Sequence, residues 1–310
     1  MSLPDWADFM AEDSRYRAFL DGVRRAIEAL GIDVELGEGR LRVRESGAGH
    51  VSLGLKSVAQ AWHELGEGAL GPVGDARITA LLGAAHAQLR PDPALEAELE
   101  DLERARGRLR LRLFNERAAV ALAVGLVQRR LTRGLFAVLA LDLPASLRPV
   151  APELLEGWGT SLAELWPLAL EQTLAAPVEI EPLRLFERVP CLALTGDSLV
   201  TTSQLLGLEQ ILARELGEVP SLGALAVVPN RHTLLIHPLG VHEVEVSTAL
   251  QALRHAGGTL YEQGPGSLSP EINWWRAGSL EHIRTGRDRQ GRLQLGAPEA
   301  FMREVLGEGS

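Results

Sequence analysis

Four consecutive residues, Pro229-Asn230-Arg231-His232, interrupt a strand-like apolar run between Ala226 and Leu239. A guanidinium, an imidazole and an amide gathered between two greasy segments have the chemistry to hold an anion or move a proton. The same residues also suit a turn, because Pro229 lacks a backbone donor and Asn230 tolerates left-handed geometry. Turn chemistry favours the plain hairpin, with "ALAVV" and "TLLIH" as antiparallel arms. His232, His237 and His242 recur every five residues, with Glu243 and Glu245 beside them. Positions five apart on a regular strand point to opposite faces, and no HxH or HExxH spacing occurs, so no metal site is expected.

Ser203 and Thr202 stand at a helix start, where a nucleophile can sit and where hydroxyls more commonly cap. No GxSxG elbow is present, and the only cysteine, Cys191, lies inside an apolar strand where a thiol is inert packing. The glycine-rich stretches "GEGALGPVG" and "GPGSLSPE" do not join a strand to a helix in the phosphate-binding manner, so no cofactor is expected. Trp274 and Trp275 are adjacent and must face opposite sides of a strand. One belongs to the core and the other can floor a surface groove, which makes Trp274 a candidate ligand contact.

These residues need elements to position them. The chain has 310 residues, 46% of them apolar, enough to bury a core. Its net charge of −10 argues against general nucleic-acid binding. Lys56 is the only lysine, so basic groups are almost all arginine. The acidic N-terminus does not read as a signal peptide, and "AAVALAVGLV" is too short to span a membrane. A soluble cytoplasmic protein is expected.

The fold class expected is α+β. Residues 1–92 read as an N-terminal unit of helix, hairpin, strand and two helices, closed by "RPDP". Residues 93–283 read as a larger mixed-sheet domain, and 284–310 as a polar tail with a weak helix. In the second domain, "GRLRLRLFNE" is a strand with Arg108, Arg110 and Arg112 on a solvated face. "GLFAVLALDLP" is a strand buried on both sides. Ser161 and Glu164 form a capping box ahead of a helix that Pro167 should kink, and Thr201 and Gln204 repeat that spacing. A further helix near 247–256 should end at Gly257-Gly258.

Several of these stretches together resemble the YtpQ-like proteins, an uncharacterised bacterial family. The matching residues are Leu141-Asp142, Trp158-Gly159, Ala169-Leu170, Gly196-Asp197, Ser203, Val228-Pro229, Arg231 and Ser269-Pro270. The resemblance spans about residues 130–277. Leu199-Val200-Thr201 stands where that family often has Tyr-Asp, and His232 where it often has Asp. The resemblance implies a fold and a compartment but no reaction.

The residues read best as a non-catalytic binding or regulatory protein, with a protein or an anionic small molecule as partner. One alternative is an enzyme acting on an anionic small molecule through Arg231, Asp197 and Ser203. A second is an acidic immunity-type partner of a basic protein. Arg231, Asp197, Ser203, His232 and Trp274 are the candidate ligand contacts.

Overall fold

The computed structural model describes residues 3–4, 7–10, 12–37, 39–43, 51–87, 93–121, 126–143, 146–287 and 293–307. The fold is α+β, in two compact units. One is Met1–Leu99 with Leu143–Arg148 and Gln263–Gly266, and the other is Glu100–Asp142, Pro149–Glu262 and Ser267–Ser310.

The first unit carries α1 (Asp13–Leu30), β1 (Val34–Gly37), β2 (Arg40–Val43), β3 (Val51–Gly54), α2 (Lys56–His63), α3 (Pro72–Ala87) and α4 (Pro93–Leu99). In α1, Phe19, Val23 and Ala26 recur at helical spacing and are buried with Trp62, Ile78 and Leu82. Gly31 closes α1 at φ 62, so the Gly31 and Ile32 amides donate to Glu28 O and Ile27 O. The strands form an antiparallel sheet in the order β1-β2-β3.

From residue 100 onward come α5 (Leu102–Ala105), β4 (Leu109–Asn115), α6 (Glu116–Ala121), β5 (Gln128–Thr132), β6 (Leu135–Leu143), β7 (Ser146–Pro149), α7 (Pro152–Gly157) and α8 (Leu162–Leu174). They are followed by β8 (Glu179–Leu185), β9 (Val189–Thr195), a 3₁₀ segment (Thr201–Gly207), α9 (Leu208–Leu216), β10 (Ala224–Asn230) and β11 (Thr233–Pro238). The last elements are α10 (Val246–Gln263), β12 (Ser267–Arg276), β13 (Ser279–Arg287), β14 (Leu293–Gly296) and α11 (Glu299–Glu304). The large sheet has 7 strands in the order β14-β13-β12-β10-β11-β9-β8, and the smaller sheet follows the path β4-β6-β5. A mixed large sheet was expected, but the large sheet is antiparallel at each step, because hairpins rather than helical crossovers join most neighbours.

Alternation along the strands sorts the core into two layers. Leu194, Ala226, Ile236 and Trp275 pack with Leu205, Leu208 and Leu212, and with Leu113 and Leu135 of the smaller sheet. Leu225, Val227, Leu235 and Trp274 face the other way, toward Leu250 and Leu253 of α10 and Phe301 of α11. The C-terminal stretch is therefore not a tail: β14 pairs with β13, and Phe301 is fully buried.

Two further expectations meet different outcomes. The Ser161–Glu164 capping box forms as read, with both reciprocal hydrogen bonds present. The helix expected to stop at Gly257-Gly258 instead runs through both glycines to Gln263. A Cβ on Gly257 would lie 2.7 Å from Val227 Cγ1, so this glycine marks where α10 rests on β10. Gly258 has open space around it. Gly258→Ala should therefore raise stability by about 0.5–1 kcal/mol through helix propensity. Gly257→Ala should lower it despite the same propensity gain. Thermal melts of the two variants against wild type check the opposite signs.

Candidate functional site

The hairpin turn that the sequence singled out joins β10 to β11, with Asn230 paired to Thr233 and Arg231-His232 between them. Pro229 sits in a central strand, where a missing donor would normally be costly. The register of β10 shifts at this place against both neighbours, and the bulge absorbs the proline. Asn230 fixes the turn: its Oδ1 accepts from His232 N at 2.9 Å, and its Nδ2 donates to Leu260 O at 3.1 Å. Arg231 Nε donates to His232 Nε2 at 2.9 Å, and His232 Nδ1 lies 2.8 Å from Gly196 O. A guanidinium only donates, so Nε2 is the bare nitrogen and Nδ1 carries the proton toward Gly196. The imidazole thus ties the hairpin to the end of β9.

Ser203 serves a main-chain amide as well. It is fully buried, and its hydroxyl accepts from Leu113 N at 3.2 Å. Thr173 on α8 does the same for Leu111 N at 2.8 Å. These amides point outward from β4, away from β6, so two hydroxyls replace a neighbouring strand. Gln204 does not complete a capping box with Thr201. Its Nε2 instead reaches Thr173 O and Ala176 O at the end of α8. Asp197 is exposed at the surface. A hydroxyl sealed under β4 and an exposed carboxylate do not line one accessible cleft, so Arg231, Asp197 and Ser203 are not brought together as a reactive set.

Trp274 is core: it is 1% exposed, donates from Nε1 to Leu222 O at 2.8 Å, and meets Phe301 edge-on at 5.3 Å. Its neighbour Trp275 faces the opposite layer and helps to line a cleft of about 270 Å³. Trp166 and Leu170 of α8, Leu205 and Leu206 of the 3₁₀ segment, and the Gly278-Ser279 turn complete the walls. Arg129 and Arg130 of the edge strand β5 supply its charge. The Arg129 guanidinium stands 5.2 Å from the Trp166 ring centre, and Arg130 stands 5.8 Å from that of Phe136. Among the described residues neither arginine has a carboxylate partner. No protein-family model, curated protein or solved structure matches this chain.

The arginine-bearing face of β4 is not uniformly solvated, as the alternation suggested. Arg110 donates to Gln172 Oε1 at 2.6 Å and pairs with Asp142 at 3.3 Å. Arg112 keeps some surface, but its guanidinium is deep enough that burial, with the Arg231 charge adding to it, pulls its pKa down to about 10. Burial likewise pushes the Cys191 thiol up to about 12, which leaves it protonated and unreactive at neutral pH. Among the described residues no group of histidine, cysteine, aspartate and glutamate side chains could hold a metal ion. Arg129 and Trp166 carried no signal in the sequence beyond an acid-free "QRRL" and a tryptophan on a helix, because 37 residues separate them.

Two outcomes follow from these contacts. Ser203→Ala leaves the Leu113 amide buried without an acceptor and should cost about 1–3 kcal/mol in urea denaturation, while Ser198→Ala should cost less. His237 is buried with Nδ1 2.7 Å from Pro190 O, and burial lowers its pKa from 6.5. The folded state therefore disfavours the charged ring. The stability contributed is present in full above pH 6.5 and declines as pH falls below it. His237→Gln should remove that part of the pH dependence, seen as a flatter profile of denaturation midpoint between pH 5 and 7.

Proposed function

We propose that the protein is a non-catalytic binding protein whose second unit takes a small organic anion in the Arg129–Trp166–Trp275 cleft. One observation carries the reading: two guanidinium groups without carboxylate partners among the described residues stand over a cleft walled by tryptophan and leucine. Guanidinium supplies a fixed fork for a carboxylate, and the indole and leucine surfaces accept an apolar body. The volume of about 270 Å³ lies just below the roughly 300–1,000 Å³ typical of drug-sized ligands, so the occupant is small.

What the cleft contains also favours capture over turnover. The lining offers cations, aromatic rings and aliphatic chains, with Ser279 as its hydroxyl. Acid–base catalysis at neutral pH calls for a group that titrates near it, and arginine does not. The polar residues around the hairpin are bonded to main-chain carbonyls and amides, which suits a rigid support for a binding cleft. The kinship with YtpQ-like proteins proposed on sequence motifs adds no reaction to this reading.

The test uses benzoate, cyclohexanecarboxylate and the neutral benzamide, read by tryptophan fluorescence and thermal shift. The carboxylates should bind and benzamide should bind far less. Arg129→Gln should weaken benzoate at least about tenfold, a loss of roughly 1.4 kcal/mol, since it removes the cation that pairs with the carboxylate. If neither carboxylate changes fluorescence or melting temperature, or if Arg129→Gln binds benzoate as wild type does, the cleft is not an organic-anion site.

A further inference from the structure

The smaller sheet presents a second set of polar groups on the face opposite its leucines. Residues directly opposite each other across antiparallel strands share a face. Arg112 pairs with Val138, and Val138 pairs in turn with Gln128, so the three stand in a row across β4, β6 and β5. Two strand spacings place the outer Cα atoms roughly 10 Å apart, a span that an arginine and a glutamine can close from either side above Val138.

Each end of this row lacks a partner. Gln128 Oε1 is a buried atom with no hydrogen bond among the described residues. Arg112 has no carboxylate or carbonyl partner among them, and its guanidinium lies 5.0 Å from the Phe114 ring centre. The other charges on the face are engaged. Arg110 pairs with Asp142, while Arg130 donates to Thr132 O and stands over Phe136. The charge of Arg231, from the hairpin turn, acts on Arg112 as a like charge.

Burial strips hydration from the Arg112 guanidinium, and the like charge of Arg231 adds to the cost of keeping it charged. A doubly charged anion reverses both costs. Turning the Gln128 amide half a revolution presents its NH₂ where the orphaned oxygen stands, which makes the row a set of donors. We propose that Arg112 and Gln128, in the field of Arg231, form a binding site for a compact tetrahedral oxyanion, inorganic phosphate or the terminal phosphoryl group of a small molecule. Arg112 supplies the two parallel N–H donors that suit phosphate oxygens, Gln128 closes the opposite side, and Phe114 holds the guanidinium in place.

Thermal shift and ³¹P line broadening test the site with inorganic phosphate, sulfate and phenyl phosphate, each against sodium chloride of equal ionic strength. Phosphate should raise the melting temperature saturably, and Arg112→Gln should weaken it at least about tenfold. Gln128→Glu places a carboxylate beside Arg112. It should raise the melting temperature in phosphate-free buffer and abolish the response to phosphate. Arg129→Gln, which alters the cleft, should leave the phosphate response intact. Phenyl phosphate binding as well as phosphate upholds the site and assigns it to a phosphoryl group on a larger molecule, whereas phosphate binding alone upholds it as a free-ion site. The proposal is overturned if wild type shows no saturable response to phosphate, or if Gln128→Glu keeps the wild-type affinity.

Discussion

Two buried hydroxyls close the outer edge of β4, and much of the second unit is arranged by that fact. Thr173 brings α8 to the Leu111 amide, and Ser203 brings the 3₁₀ segment to the Leu113 amide. An edge strand left open invites pairing with another chain, and an amide buried without an acceptor costs about as much as a lost hydrogen bond. The hydroxyls resolve both problems at once and fix the distance between strand and helices. Leu109, Leu111 and Leu113 then face inward, so Arg110 and Arg112 must face outward. The arginine-bearing face of the smaller sheet is thus a by-product of how its edge is sealed.

Among the described residues, three arginines of the smaller sheet stand over aromatic rings rather than against carboxylates. Arg112 lies over Phe114, Arg129 over Trp166 and Arg130 over Phe136, whereas Arg276, over Trp274, also pairs with Glu304. A planar guanidinium on a ring stays charged and retains in-plane donors for a ligand, whereas a carboxylate partner would neutralise it. This explains how a chain of net charge −10 can still present local positive sites. Its many carboxylates are spent elsewhere, in exposed helical pairs such as Arg17–Asp13 and Arg24–Asp21.

What could be read in advance was what depends on near neighbours. The Ser161–Glu164 box is a contact across three residues, and β6 declares its burial through its own apolar run. The hairpin at Arg231-His232 is likewise local. Ser203 was ambiguous because capping and edge-sealing use the same hydroxyl, and the amide it serves lies 90 residues away. Gly257-Gly258 looked like a helix stop because glycine also provides close approach, and Val227 is remote in sequence. The cleft and the Arg112–Gln128 row depend on strand order and register, which no local pattern of residues encodes. Trp274 and Trp275 show the limit most plainly: alternation places them on opposite faces, but only the packing of the surrounding elements decides what covers each.

Cys191 lies in β9 beneath a hydrophobic layer, its thiol held protonated by burial. A cysteine engineered onto the surface would therefore answer a maleimide alone, without removal of the natural one. Spectroscopic reporters can be attached to the native background at any chosen solvent-facing position, including the rim of the cleft beside Trp166.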